Sequence, residues 1–278
     1  PLTERLLFLK LAIFSWIFLT PSIQSCVEIS EHWILPVYAK NLGLMVLVAG
    51  GLHLYFYRFS AQGRALKFDN GMANKDGRKF TLGNQVRDNI FWTLASGVTV
   101  WTAFECTLLW LHANGFASTL TFQENPVWFI GLFLLIPVWN SSWFFLTHRA
   151  LHWPPLYKLA HHVHHRNVSV GPWSGNSMHP VEHVIWLSGA FIYGFISCNP
   201  IHIIFSQHLS ILGAVTSHCG YEGPVIGQKR RLKMGDFFHQ LHHRYYECNY
   251  GTAEVPLDSW HGSFHDGTKE GAKILKRR

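Results

Sequence analysis

Apolar and polar residues fall along this chain in long blocks rather than at a short period. Leu6–Leu19 is apolar apart from Lys10 but shorter than the roughly 20 residues that cross a hydrocarbon layer. It predicts a tilted first helix or one lying at an interface. A polar stretch from Pro21 to Lys40, with Glu28 and Glu31, separates it from apolar Asn41–Tyr57. There Gly43, Gly50 and Gly51 would let helices approach closely. Residues 58–88 form a hydrophilic loop with seven basic side chains: Arg58, Arg64, Lys67, Lys75, Arg78, Lys79 and Arg87. Phe91–Leu111 is a 21-residue span whose only charge is Glu105. His112–Asn125 is a short loop without Lys or Arg, and Pro126–Thr147 is a second span of 22 residues. Val184–Ser217 runs for 34 residues without Asp, Glu, Lys or Arg, interrupted by Cys198-Asn199-Pro200. Two full spans and a turn need about 40 residues, so this run predicts a re-entrant hairpin that enters the membrane and returns. Residues 218–278 read as soluble.

Charge orients these blocks. The basic loop 58–88 is expected on the cytoplasmic side, because cytoplasmic loops carry the Lys/Arg excess. The loop 112–125 then lies on the far side, and the span after it returns to the cytoplasm just before His148. The basic stretch Lys229–Lys233 and the basic C-terminus agree. The prediction is an all-α integral membrane protein of about four transmembrane helices, a re-entrant helical hairpin and a cytoplasmic helical cap. Residues 1–88 supply the N-terminal helices and basic loop, and 89–278 the remainder. No repeat, low-complexity tract or linker marks a further domain.

Composition supports the membrane reading. Hydrophobic residues make up 48% and charged residues 14%, with 12 Trp and 21 Phe; ordinary soluble domains carry roughly 25% charge. The net charge of +7 is accounted for by cytoplasmic loops and anionic lipid, not nucleic acid. Cys26, Cys106, Cys198, Cys219 and Cys248 form no CxxC pair, which argues against a disulfide framework or a thiolate zinc site. No small-residue cleavage site follows Leu6–Leu19, so no cleavable signal peptide is expected.

The chemistry lies in histidine. Of 19 histidines, 16 lie between His148 and His265. His148 and His152 are four apart. His161, His164 and His165 form an HxxHH pattern that His239, His242 and His243 repeat. On a helix, residues three and four apart share a face, so each group is expected to aim its imidazoles at one spot. Neutral imidazole suits iron, zinc, copper and nickel. Eight such ligands exceed the positions around one ion, so two metals are expected. Bundle-type di-iron proteins use Glu and Glu-x-x-His instead, so this set belongs to a different, membrane-bound class.

HRALH, HHVHH, HPVE and HQLHH, in this order after hydrophobic spans, resemble the fatty acid hydroxylase / sterol desaturase superfamily of integral-membrane di-iron oxygenases. The resemblance covers about residues 90–265. It extends to Leu156-Tyr157-Lys158, to His218-Cys219-Gly220-Tyr221-Glu222, and to Asn249-Tyr250-Gly251. The segment from Leu257 to Phe264 is similar to the sterol C5-desaturase pattern W-D-x-x-x-G-S-F, with Leu257 in place of Trp. The resemblance implies two further ligands, His179 and His218, making ten. Some members carry a histidine four residues before the position of His218; here it is Ala214. It also implies two irons (zinc being a possible substitute in a purified sample) and O2 as cosubstrate. The implied reaction removes hydrogen from an unactivated C–H bond of a sterol or fatty-acyl lipid taken from the bilayer, and ends in hydroxylation or desaturation. The chain shows no flavin or dinucleotide fingerprint, fused haem domain or iron–sulfur cysteine set. A separate donor is therefore implied, a cytochrome b5-like protein, a ferredoxin or a reductase, meeting Lys229, Arg230, Arg231 and Lys233. The membrane would be the endoplasmic reticulum in a eukaryote or the inner membrane in a bacterium.

No protein acid or nucleophile is expected to act beside the metals. Around them, Glu182 is expected to receive an N–H from a ligand histidine, His183 is an alternative ligand four residues after His179, and Asn249 is expected to hydrogen-bond nearby. His162, off the shared face, is expected at the surface or behind a ligand, and His261 and His265 at the surface. His202 and His208 read equally as functional or as packed in the hairpin, and Glu105 is placed toward a bundle interior. Two other classes compete: a metal transporter or storage protein, which would place ligands near the bilayer midplane, and a bis-histidine haem protein.

Overall fold

The computed structural model describes residues 2–69, 71, 77–230 and 232–271. Lys75, Arg231 and the basic C-terminal residues 272–278 lie outside them. The described chain is mostly helical. α1 (Leu2–Phe18) has 17 residues, about 25 Å at 1.5 Å per residue. It buries Phe8, Ala12 and Ser15 and leaves Leu6, Ile13, Phe14 and Ile17 exposed. α2 (Glu31–Arg58), α3 (Gln85–Ala113) and α4 (Pro126–Leu151) are long and apolar enough to cross a membrane. Each starts where a side chain caps the free amides. Ser30 Oγ accepts from the His32 N–H at 3.3 Å. Asn84 Oδ1 accepts from Val86 and Arg87 at 3.0 and 3.1 Å. Asn125 Oδ1 accepts from Trp128 at 3.0 Å, ahead of Pro126 at the first helical position.

α2 starts ten residues earlier than its apolar run and passes through Pro36. Lys40, which ends the polar stretch in the sequence, lies inside the bundle. Its ammonium pairs with Glu105 of α3, while Asn41 Nδ2 donates to Glu105 Oε2 at 3.0 Å and to Thr102 Oγ1 at 3.2 Å. Both charged side chains are buried. The pair lets a lysine and a glutamate occupy an apolar span without an isolated charge.

After α4 the chain enters α5 (residues 154–165), which contains one π-helical turn, Tyr157–His161. α6 (Pro180–Leu187) continues as a 3₁₀ segment, Ser188–Gly194. A turn at Cys198-Asn199 then leads into α7 (residues 200–217), again with an internal π turn, His208–Leu212. The tighter 3₁₀ winding rises about 2.0 Å per residue, so the first arm reaches nearly as far as the second. The tip of this hairpin meets the loop between α3 and α4. Leu120 N donates to Cys198 O at 3.0 Å, and Asn199 Nδ2 to Leu120 O at 3.0 Å. His202 is a packed histidine, its Nδ1 accepting from Asn199 N at 3.0 Å and its Nε2 lying 2.9 Å from Phe129 O. Trp101, Leu108, Ile136, Ile203, Ile204 and Leu212 are central to the core that α2, α3, α4 and the hairpin share.

The rest forms a compact cap. A two-stranded hairpin, β1 (Val225–Ile226) and β2 (Lys229–Arg230), turns through Gly227 and Gln228, both at positive φ. α8 (Phe237–Tyr245) is capped by Asp236 and followed by α9 (Leu257–Trp260). The 3₁₀ turn Pro172–Asn176 lies directly on α7: a Cβ on Gly175 would stand 2.1 Å from the Ala214 carbonyl oxygen, which requires glycine there.

The Lys40–Glu105 pair yields a stability test. Glu105→Leu or Lys40→Met alone should cost about 3 kcal/mol by leaving one buried charge unpaired, whereas the double variant should recover most of it. Thermal unfolding in detergent reads this; equal losses in single and double variants would contradict the pairing account.

Candidate metal centre

Histidines from four helices converge where the bundle meets the cap. α4 supplies His148 from its last turn and His152 from just beyond its end. α5 supplies His161, His164 and His165, α7 leads to His218, and α8 supplies His239, His242 and His243. Nine ligand atoms form two groups. One is His148, His152, His161, His165 and His242; the other is His164, His218, His239 and His243. Within each group the atoms lie within 4.8 Å of one another. All but half-buried His152 are buried.

Neither HxxHH motif points at a single spot, as the sequence pattern suggests. In α5, His161 and His165 serve the first group and His164 the second. In α8 the assignment reverses: His239 and His243 serve the second group and His242 the first. The i, i+4 pair shares one face, while the remaining histidine is rotated toward the neighbouring group. Each helix therefore bridges both groups.

Hydrogen bonds fix which nitrogens face inward. His148 Nδ1 lies 2.6 Å from Tyr250 O, His242 Nδ1 2.6 Å from Cys248 O, and His218 Nδ1 2.8 Å from Ala214 O. A carbonyl only accepts, so each Nδ1 carries its proton and each Nε2 offers a lone pair. His161 Nδ1 lies 2.7 Å from Glu182 Oε1, which orients that ring.

The inward nitrogens are then crowded. His152 Nε2 lies 3.1 Å from His161 Nε2 and 3.2 Å from both His165 Nε2 and His242 Nε2; His165 and His242 are 3.0 Å apart. His218 Nε2 lies 3.0 Å from His243 Nε2. One N–H cannot satisfy three such contacts, and opposed lone pairs repel. These spacings are close to those of adjacent nitrogens held at about 2.1 Å from one ion. The buried Nε2 of His148 also has no partner among the described residues. The donor set fits two cations and fits poorly without them.

Burial also sets the protonation state. It drives the imidazoles of His161, His164, His165, His239, His242 and His243 well below their ordinary pKa, with repulsion from neighbouring histidines adding to the shift. His218 is lowered to about 4, chiefly by burial. All are neutral at physiological pH, the state a metal requires. Burial pushes the Glu182 carboxyl well above the usual range.

The remaining predicted residues lie as follows. His179 joins neither group. It caps α6, its Nδ1 accepting from Val181 N at 3.3 Å, because the extended residue before Pro180 turns back onto its own helix. His183 is buried beside α3, its Nδ1 2.8 Å from Ser96 Oγ. Asn249, at φ 54, accepts from His265 N at 2.7 Å and donates to Phe238 O at 3.0 Å, next to His239. His162 and His261 are exposed. His265 is buried, contrary to its expected place at the surface: it stacks on Tyr245 at 4.8 Å and accepts from Gly267 N at 2.8 Å.

Sequence reading gave Asp258 no role. Its carboxylate accepts from Tyr250 N at 2.9 Å, Gly251 N at 2.7 Å and Ser263 Oγ at 2.6 Å. It thereby shapes the loop whose Cys248 and Tyr250 carbonyls hold His242 and His148. The signal for it was the place of Asp258 in the segment Leu257–Phe264, where it matches the Asp of W-D-x-x-x-G-S-F.

A cavity of about 900 Å³ reaches both groups. His148, His161 and Glu182 line it beside the first group, and His164, His218 and His239 beside the second. Phe144, Met178 and Trp186 are among its apolar walls.

Residues 133–263 match the sequence profile of the fatty acid hydroxylase family. Among curated proteins, the chain is 28% identical over 134 residues to methylsterol monooxygenase 1 of Gallus gallus, covering 47% of this chain and 45% of that one. It is 30% identical over 164 residues to methylsterol monooxygenase erg25B of Aspergillus fumigatus, covering 54% of each. To the Delta(7)-sterol 5(6)-desaturase ERG3 of Saccharomyces cerevisiae it is 28% identical over 120 residues, covering 43% and 32%. The chain thus spans about a third to a half of the length of these relatives. No solved structure matches it.

The exchange of ligands between α5 and α8 makes adjacent histidines inequivalent. His164→Ala and His165→Ala should each lower bound metal from about two ions per chain to about one. The retained ion should differ in its spectrum between the two variants; identical retained sites would refute the split. Asp258→Asn should weaken metal retention by about tenfold or more, as for other residues that orient ligands. Dialysis against graded chelator measures this.

Proposed function

For a chain that belongs to the fatty acid hydroxylase / sterol desaturase superfamily, we propose oxygen-dependent oxidation of an unactivated C–H bond in a membrane lipid at a di-iron centre. The observation that carries this reading is the pair of buried all-imidazole groups whose histidines line a cavity together with Phe144, Met178 and Trp186. The relatives act on sterols by name, and sterol or fatty-acyl lipid is the substrate class we infer. Hydroxylation would consume the lipid, O2, two electrons and two protons, and release an alcohol and one water. Desaturation would consume the same and release an alkene and two waters. The irons, when bound, would supply oxygen activation.

The chain's own residues do the remaining work. Nine histidines would hold the metals, with His179 as a tenth only if α6 shifted. Backbone carbonyls of Cys248, Tyr250 and Ala214 keep three of those imidazoles in the tautomer that can ligate. Glu182 orients His161 and lines the cavity, and its buried Oε2 has no partner among the described residues. Phe144, Met178 and Trp186 exclude water from the reacting carbon and leave the substrate dispersion contacts alone.

The topology we propose puts the basic loop 58–88, the cap and the metals on the cytoplasmic face. Both arms of the α6–α7 hairpin would be inserted from that side. Electrons would come from a separate acidic partner, a cytochrome b5-like protein, ferredoxin or reductase, docking near the exposed Lys229 and Lys233. Reversing the charges at 229, 230, 231 and 233 should slow turnover with a protein donor and spare turnover with a small chemical reductant.

The test is lipid analysis of cells carrying wild-type or His161→Ala protein. Wild type should produce a lipid heavier by one oxygen or lighter by two hydrogens, and the variant should not. Tight binding of two metals without substrate-dependent O2 uptake under any reductant would contradict the proposal and favour metal transport or storage.

A further inference from the structure

The cavity is not uniformly apolar: Asn140, Ser141, Ser210 and Thr252 are among its lining residues, and hydrogen bonds join them in two sets. Ser141 of α4 pairs with Thr252 through their hydroxyls at 2.7 Å. At the adjacent position of α4, Asn140 Nδ2 donates to Ser206 O at 2.9 Å and to Ser210 Oγ at 3.1 Å, and Asn140 Oδ1 accepts from Ser206 Oγ at 3.0 Å. The amide of Asn140 is thereby fully used and fixes Ser210 in place. A hydroxyl carries a single proton. The Ser141–Thr252 contact uses one of its two, and the Ser210 proton has no acceptor among the described residues. Neighbouring Ser142 contrasts with these, since it donates to its own helix at Val138 O, 2.8 Å away. Arg5 and Glu254, which also line the cavity, pair with each other.

Ser141 and His148 are seven residues apart on α4, two turns on the same face and about 10 Å along the axis. Between them lies the ring of Phe144, stacked on His148 at a centroid distance of 4.8 Å. The cavity therefore offers spare hydroxyl donors, an apolar wall, and the metal ligands about 10 Å further on.

Resting on the function proposed above, we propose that Ser141, Thr252 and Ser210 form a subsite for an uncharged oxygen acceptor of the lipid, an ester or amide carbonyl or a hydroxyl. The spacing then selects the substrate. The oxidised carbon lies several bonds from the polar group, along a flexible apolar chain. A rigid lipid oxidised on a carbon adjoining its hydroxyl cannot reach both places, so the class selected is an acyl lipid.

The experiment uses full-length, iron-loaded protein in detergent with a chemical reductant, and N-acyl ethanolamides of increasing chain length as probes. Product positions are read by mass spectrometry. With wild-type protein the oxidised carbon should stay at a fixed count from the carbonyl as the chain lengthens. In Ser141→Ala/Thr252→Val that position should spread over several carbons. Oxidation counted from the methyl end, or beside the carbonyl, would overturn the subsite while leaving lipid oxidation standing. A second readout is independent of turnover: equilibrium binding of N-hexadecanoyl ethanolamide to the metal-free protein. It should weaken by about tenfold in the double variant and stay near wild type in Thr252→Ser, which keeps the hydroxyl. Unchanged binding in the double variant would overturn the subsite. Absence of any lipid oxidation alongside the predicted binding change would contradict the proposed function alone.

Discussion

The structure depends on one electrostatic constraint: several neutral imidazoles are held with their lone pairs facing one another. Backbone carbonyls of Cys248, Tyr250 and Ala214 occupy the Nδ1 protons of His242, His148 and His218. That leaves Nε2 atoms 3.0–3.2 Å apart around His152 and at the His218–His243 contact. Cations relieve this repulsion where hydrogen bonds cannot. Much of the surrounding architecture maintains it. The turns after α8 set the carbonyls, Asp258 and Asn249 set the turns, and the hairpin brings His218 back to the end of α4. Burial keeps the imidazoles neutral and so able to ligate.

The two HxxHH helices are cross-braced rather than assigned one to each group. Because α5 gives two ligands to the first group and one to the second, and α8 does the reverse, neither group can form while either helix is displaced. Assembly of the two sites and docking of the cap onto the bundle are therefore expected to be a single cooperative event. The rings of Tyr157, Tyr246 and Tyr250 pack against first-group histidines.

Much of this was legible in the sequence because it is periodic or compositional. Long apolar blocks marked the helices that are long and apolar enough to cross a membrane, and histidines at spacings of three and four supplied eight of the nine residues in the two groups, His218 coming from the resemblance. What was not legible depends on rotation and on non-local pairing. The split of each HxxHH turns on a few tens of degrees about a helix axis, which spacing does not encode. Lys40 looked like the end of a polar stretch because its partner, Glu105, is 65 residues away. His179 looked like a ligand by motif, yet its place before Pro180 folds it onto its own helix. The polar lining of the cavity is scattered over positions 140, 141, 210 and 252, with no local signature. Resemblance to a family points to the metals but not to the wall that positions a substrate.

X-ray absorption at the iron edge of metal-loaded protein tests the central claim most directly. The account predicts a shell of nitrogen and oxygen only, with the multiple scattering of several imidazoles at each iron. A sulfur scatterer, or a shell with one imidazole or none, would contradict it.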